Sequence, residues 1–219
     1  MATMVAHMTE LQAVNQMLRS IGESAVQTLS SGQIDAEQAQ ATLAEVSRRI
    51  QSQGWHCNTR RSVSLGKNSS NQFAVGVNVL SIDTVNPDSG RRQGSPNPSS
   101  YFNAVLRRSA DDTKYLLYDL DNDTEVWTTP TTLTVDIIEY LPFSNLTTQL
   151  QVYVYKSAAH EYQKSAVSSS TLYQFTLEDV QEAGMNAVQE ETANEDRNMF
   201  THNRHAREVV YRYNPIYNT

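Results

Sequence analysis

The sequence predicts an α+β fold: an antiparallel bundle of about four helices, an inserted small antiparallel β-domain, and an extended C-terminal tail. Near both ends of the chain, apolar residues recur at steps of three and four, which is the spacing of one helix face. In the middle they alternate, which is the spacing of one strand face. A charge reversal near residue 197 predicts where the tail begins. The predicted boundaries are 1–55 and 143–198 for the helical domain, 56–142 for the β-domain and 199–219 for the tail.

The first predicted helix carries an apolar face made of Leu11, Val14, Leu18 and Ile21. Thr9 and Gln12 have the spacing of a capping box, in which each side chain bonds to a backbone N–H of the other residue. Gly22 predicts the end of the helix, because glycine takes the left-handed conformation without a steric penalty. Residues 25–29 are expected to cross to the next helix in extended form.

The second predicted helix has a face made of Ala39, Leu43, Val46 and Ile50. Asp35 is its predicted N-cap, with Gln38 three residues later. Gly54 predicts the end of this helix before Trp55. A helix pair with one apolar side must bury that side against other elements, so these residues are expected to form a core.

Two segments of this helical region resemble a known family. LQAVNQMLRSIGESAVQTL and RRIQSQGWHCNT resemble the N-terminal signature of the tail tubular protein A family, the tail adaptors of short-tailed phages. The matching positions are Leu11, Val14, Asn15, Ile21, Gly22, Glu23, Leu29, Ile50, Gly54 and Trp55. Most of these residues are expected to form the apolar helix faces, the helix caps and the helix ends. The signature therefore indicates the family but does not identify residues that contact a ligand.

The resemblance implies a structural virion protein and not an enzyme. Proteins of this family form a dodecameric ring below the portal protein, and their β part faces a nozzle protein of the tail tubular protein B type. Double-stranded DNA passes through the ring without sequence-specific contacts. The resemblance therefore implies a place in the virion tail, after assembly in the bacterial host cytoplasm.

The central region predicts four to six strands in a small antiparallel barrel or sandwich. The predicted strands cover 60–65, 73–82, 103–107, 114–118 and a stretch containing Leu133, Val135 and Ile137. Gly76 predicts a bulge or a close approach of another group. The prolines and glycines of 84–100 predict a long loop, and Asp121, Asn122 and Asp123 predict a hairpin turn.

Two more helices are predicted after Pro142. The first is capped by Ser144 or Asn145 and ends at Ala166; its β-branched residues also suit a strand, but its length favours a helix. The second starts at Thr176, with Asp179 three residues later. Its thin inner face is Val180, Ala183, Ala187 and Val188, and Gly184 either weakens the helix or lets another helix come close.

Charge is distributed unevenly along the chain, whose net charge is -7. Residues 176–196 contain seven acidic residues and no Lys or Arg, whereas residues 197–219 carry four Arg and one Glu. The tail is therefore predicted to dock on the portal through Arg204, Arg207, Tyr211, Arg212, Tyr213 and Tyr217. The acidic residues Glu190, Glu191 and Glu195 are predicted to lie near the DNA channel or at a subunit seam, because like charges repel passing DNA.

Other functional classes have weaker support in the sequence. No apolar run of about 18 residues predicts a membrane span or anchor, and the single cysteine, Cys57, allows no internal disulfide. Asp119, Asp121 and Asp123 match the first three ligand positions of a calcium loop, but the required Gly and Glu are replaced by Thr124 and Pro130. No motif predicts a cofactor or a metal.

The sequence leaves two alternatives to an adaptor open. The first is a tail-associated glycan hydrolase that uses Asp121, Asp123 or Glu125, since two nearby carboxylates are the machinery of glycosidases. The second is a carbohydrate-binding module that uses aromatic residues of the β-domain.

Overall fold

A computed structural model describes residues 7–30, 32–84, 102–166 and 170–194. The helices are α1 (Glu10–Ser20), α2 (Ile34–Gln51), α3 (Thr148–Ala166) and α4 (Ser170–Asn194). The strands are β1 (Thr59–Gly66), β2 (Ala74–Val75), β3 (Val79–Thr84), β4 (Ala104–Arg108), β5 (Tyr115–Asp119) and β6 (Thr132–Glu139). The predicted α+β fold with about four helices is confirmed. Nearly all of the predicted 84–100 loop and the whole 199–219 tail lie outside the described residues.

Helix α1 begins and ends as its sequence predicts. The N–H of Gln12 donates to Thr9 Oγ1 at 3.2 Å, and the N–H of Thr9 donates to Gln12 Oε1 at 2.9 Å. Gly22 takes a φ of 87°, and the N–H groups of Gly22 and Glu23 donate to carbonyls of the last turn. This is the Schellman arrangement that a C-terminal glycine permits.

The segment after α1 is irregular, and Asn15 holds it in place. Asn15 Nδ2 donates to the carbonyl of Val26 at 3.0 Å, and Asn15 Oδ1 accepts from the N–H of Val26 at 2.8 Å. Val26 is buried, and buried backbone groups must find hydrogen-bond partners. The side-chain amide of Asn15 therefore makes the two hydrogen bonds to the Val26 backbone that a neighbouring strand would otherwise make.

Helix α2 has the predicted apolar face but not the predicted cap. Ala39, Leu43, Val46 and Ile50 are all buried. The expectation that Asp35 caps the helix is wrong, because the N-cap is Gln33, which makes no side-chain capping bond. Asp35 lies in the first turn instead, where its negative charge interacts favourably with the helix dipole.

The predicted strand 73–82 is wrong as a single element. The chain turns at 76–78, so that β2 and β3 belong to different sheets. A β-carbon on Gly76 would lie 2.5 Å from Asn78 Oδ1, which is the end of a side chain that can turn away. Gly76 lies at the turn between β2 and β3 and not inside a strand. Val77 lies in the turn and is 54% exposed.

The six strands form two antiparallel three-stranded sheets with the orders β1-β6-β3 and β2-β5-β4. Both sheets contribute to one apolar cluster: Phe73, Val75, Val79, Leu117, Trp127, Leu133, Val135 and Ile137. Trp127 donates from Nε1 to the carbonyl of Leu117 at 3.0 Å. An isolated antiparallel bridge between Lys67 and Phe73 joins the end of β1 to the start of β2 in the other sheet. Whether the two sheets are better described as a barrel or as a sandwich stays a prediction.

Helix α3 lies at the centre of the helical part and packs on α1, α2 and α4. Its helical state is confirmed, but it begins at Thr148, after a short 3-10 helix at Phe143–Asn145, so neither predicted cap residue starts it. Helix α4 begins at Ser170, six residues before the predicted start at Thr176.

The inner face of α4 is narrower than predicted. Ala183 and Ala187 are 2% exposed, whereas Val188 is 56% exposed. A β-carbon on Gly184 would lie 3.2 Å from Tyr153 Cε2 of α3, which explains the glycine as a site of close packing.

The helical and β parts are joined by buried amide side chains. Gln51 accepts from the N–H of Leu141 at 2.7 Å and donates to the carbonyl of Leu141 at 3.0 Å. Asn58 donates to the carbonyls of Gln51 and Glu139 at 2.9 and 3.0 Å. Gly54 has a φ of 79°, and a β-carbon there would lie 2.8 Å from Ile138 Cδ1. The domain boundaries near 55 and 142 stay a prediction.

Replacing Gln51 by alanine tests this junction. The variant leaves the N–H and C=O of the Leu141 backbone without their partner, and each unsatisfied buried group costs about 1–3 kcal/mol. We expect Gln51→Ala to lower the free energy of unfolding in urea by about 3 kcal/mol. The exposed neighbour Gln53 is the control, and Gln53→Ala should change stability by less than about 0.5 kcal/mol. Equal stability of the two variants would contradict the assigned role.

Candidate assembly surface

Glu190, one of the predicted channel or seam acids, is bonded within the chain. Its Oε2 accepts from Thr147 Oγ1 at 2.8 Å and from the N–H of Gln149 at 3.2 Å. These donors lie at the start of α3, where the first N–H groups have no partner within the helix. The Glu190 carboxylate therefore caps α3, and its charge is favourable at this end of the helix dipole.

Glu191 makes a second bond of the same type. Its Oε1 accepts from the N–H of His56, the first residue of the short 3-10 helix His56–Asn58. Cys57 lies beside both carboxylates. Burial raises the pKa of its thiol, and the negative charges of Glu191 and Glu190 raise it further. The thiol thus stays protonated at neutral pH, which is not the state of a reactive nucleophile.

These contacts fasten the end of α4 to the start of α3 and to the junction with the β part. The role of Glu190 and Glu191 at a channel or seam stays a prediction, and the structure adds an internal role to it. Glu195 lies outside the described residues. So do the six predicted portal-docking residues: Arg204, Arg207, Tyr211, Arg212, Tyr213 and Tyr217.

The middle of α4 presents acidic side chains to solvent. Glu178, Asp179 and Glu182 are exposed, and residues 176–194 contain no Lys or Arg. Asp179 lies 3.6 Å from Lys156 Nζ of α3. Nearby, His160 Nδ1 lies 2.8 Å from Thr176 Oγ1, and desolvation lowers the pKa of His160. Apart from these links to α3, this part of α4 offers a negative surface.

An apolar groove runs beside this negative surface, between α3 and α4. Met185 and Val188 are 67% and 56% exposed on α4, and Trp55, Tyr153 and Gly184 form the rest of its apolar lining. We call this feature the α3–α4 groove. Trp55 is held by a bond from Nε1 to the carbonyl of Ile50 at 2.8 Å. The sequence pattern missed the groove because it assigned Val188 to the buried face.

The four carboxylates near the turn at 120–123 have separate partners. Asp119 accepts from the N–H groups of Asp121 and Asn122 and from Asn122 Nδ2. Burial raises the pKa of Asp119, but these bonds outweigh it and leave the pKa below the usual value. Asp119 therefore stabilises the turn.

The remaining three carboxylates bond to three different places. Asp121 accepts from Asn103, Asp123 from the Tyr118 hydroxyl and Glu125 from Gln72 Nε2. In the part of the chain that the structure describes, no group of three or more His, Cys, Asp or Glu side chains is placed to hold a metal ion. The described geometry gives no support to paired glycosidase carboxylates.

Several described aromatic rings of the β part already contact other side chains. Arg107 covers the ring of Tyr118, with Cζ 3.3 Å from the ring centroid. Trp127 is buried between Phe73 and Phe102, with ring centroids 5.4 and 5.7 Å away. Phe73, Phe102 and Trp127 stabilise the β core, and the arrangement of these described rings does not favour carbohydrate binding.

Alanine at position 190 tests the cap on α3. Loss of the carboxylate removes the acceptor of the Gln149 N–H and of the Thr147 hydroxyl, so Glu190→Ala should lower the free energy of unfolding by about 1 kcal/mol. Glu182→Ala removes an exposed carboxylate from the same helix and should change it by less than about 0.5 kcal/mol. Thermal and urea unfolding measure both values. A Glu190→Ala variant as stable as Glu182→Ala would contradict the capping role.

Comparison with known proteins identifies the family. The family model described as Tail tubular protein matches residues 11–94 and 107–197, which include almost all of the described helices and strands. No curated protein matches the chain. None of the described helices is both long enough and apolar enough to cross a membrane. This chain belongs to the Tail tubular protein family and is a structural component of a phage tail.

Proposed function

We propose that this protein is a tail adaptor. In this role, copies of the chain form a dodecameric ring that joins the portal protein to the tail nozzle protein, and the genome passes through the ring. The observation that carries the proposal is the family match, which spans both the helical ends and the β part of the chain. An adaptor needs both parts, because it contacts one partner on each side.

The distribution of exposed apolar side chains supports contacts on both parts. Ile34, Met185 and Val188 are exposed on the helical part, and Val77, Leu120 and Val126 are exposed on the β part. Met185 and Val188 adjoin each other in the α3–α4 groove, and a contiguous apolar surface favours protein–protein contact because association removes it from water. This distribution suits a subunit with one neighbour at its helices and another at its strands.

The polar side chains support a structural role as well. Within the described ranges, Glu190 fastens the start of a helix, Asp119 a turn and Gln51 an irregular segment. A catalytic site needs such groups to converge on an open pocket. Here they are used to hold one subunit shape, which a repeated ring subunit requires.

Native mass measurement of the protein mixed with its portal tests the adaptor role. We expect a defined complex in which one closed ring of this chain is bound to each portal. The protein without portal is the reference, and a portal of an unrelated phage is the control. A mixture in which the protein stays separate from its portal at micromolar concentration would refute the proposal.

Truncation tests the proposed portal contact of the tail. Removing residues 205–219 deletes Arg207, Tyr211, Arg212, Tyr213 and Tyr217 but leaves every described residue in place. We expect a variant that stays folded by circular dichroism but no longer binds portal in a sedimentation assay. A full-length variant with Arg204, Arg207 and Arg212 changed to Glu should show the same loss. Portal binding equal to wild type would rule out docking through the tail.

Charge reversal tests the proposal that acidic residues of this region line the DNA channel. Glu190 and Glu191 are unsuitable targets, because their substitution also removes helix caps. Glu182 is exposed on the same helix, so Glu182→Lys with Glu195→Lys isolates the charge. We expect slower genome ejection from particles carrying this variant, because lysines attract the DNA phosphates. Glu37→Lys, on the exposed side of α2, is the control. If the double variant and the control both eject the genome at the wild-type rate, the acidic channel lining is contradicted.

A further inference from the structure

The α3–α4 groove is an apolar surface that the described residues leave open. Met185 and Val188 lie three positions apart on α4, so their side chains project from the same side of the helix. Both are more than half exposed, beside the rings of Trp55 and Tyr153. A contiguous apolar surface of this kind favours a bound polypeptide.

Acidic residues border the groove along the same helix. Glu182 lies one turn before Met185, and Glu178 lies one turn before Glu182. Both are exposed, and residues 176–194 contain no positive side chain. The groove therefore suits a segment that combines apolar or aromatic side chains with arginine.

The end of the same chain has this composition. Residues 204–219 read RHAREVVYRYNPIYNT and contain three Arg, three Tyr, two Val and one Ile against a single Glu. Alternate positions Val209, Tyr211 and Tyr213 share one side of an extended segment. That side also carries Arg207, so it can meet the groove with its apolar residues and the acidic border with this arginine.

The distance from the end of α4 permits this contact. The rise of 1.5 Å per residue places Val188 about 9 Å, and Gly184 about 15 Å, before the end of the helix at Asn194. The nine residues 195–203 can span about 30 Å when extended. The last sixteen residues can therefore return along α4 without disturbing it.

We propose that residues 204–219 bind the α3–α4 groove of their own subunit when that subunit is free. The short connection gives the segment a millimolar effective concentration at its own groove, which favours it over the segment of another copy. This proposal concerns the free subunit and does not depend on the adaptor role. If the adaptor role also holds, the portal must displace the segment from the groove before the tail docks.

Trypsin cleavage of the full-length protein tests the contact. Arg212 lies within the proposed bound segment, and Arg197 lies before it as an internal reference. We expect cleavage after Arg212 to be about tenfold faster in the double variant Met185→Glu, Val188→Glu than in wild type, relative to cleavage after Arg197, since tenfold corresponds to about 1.4 kcal/mol of lost binding. Both substituted residues are exposed, so the fold should be retained, and circular dichroism checks this.

The matched control changes two exposed apolar residues away from the groove. Val77→Glu with Val126→Glu should leave the ratio of cleavage after Arg212 and Arg197 at its wild-type value. If the groove variant and wild type have equal ratios, or if the control variant accelerates cleavage as much as the groove variant, the proposal is overturned.

Dilution distinguishes a segment bound within its own subunit from a segment supplied by another copy of the chain. Protection of Arg212 that stays constant from micromolar to nanomolar protein supports binding within one subunit. Protection that falls on dilution, together with dimers in sedimentation, would mean that the segment comes from another copy and would overturn the same-subunit proposal.

Discussion

The fold depends on partly buried backbone groups of irregular segments that have no strand or helix partner. Three side-chain amides, one on each of three helices, satisfy them. Asn15, Gln51 and Gln151 each pair with both the N–H and the C=O of one distant residue: Val26, Leu141 and Met8, respectively. A carboxamide has one acceptor and one donor side, so it matches a backbone amide as a second strand does. The helices are thereby tied to the segments that connect them.

The same requirement explains how α4 is held and why the molecule suits assembly. Ala183 and Ala187 give α4 a thin apolar contact with α3, and the carboxylates of Glu190 and Glu191 add bonds at its far end. The helix can therefore be retained while Met185 and Val188 remain exposed to a partner. A subunit of a phage tail needs this combination, because the contacts that stabilise each copy must leave exposed the surface that binds the next protein.

The sequence predicted features that depend on local spacing. The capping box of Thr9 and Gln12, the glycine stop at Gly22 and the apolar face of α2 are all present. The strand 73–82 was wrong because alternation continues through a turn, which only Gly76 and Asn78 indicated in that stretch. The start of α4 was wrong because Thr176 has the residue type of a cap but lies inside a longer helix. For the candidate surface, the sequence showed the acidic run but not which acids were already bonded.

The sequence alone determined the family, the order of helical and strand regions and most helix faces, because these follow from residue patterns at short range. Only the tertiary structure decided that Glu190 and Glu191 cap other elements and that the turn carboxylates diverge. It also decided that Val188 faces outward beside Trp55. These outcomes depend on which distant segments meet, since a charged or apolar side chain takes its role from the donor, acceptor or ring that packing places beside it.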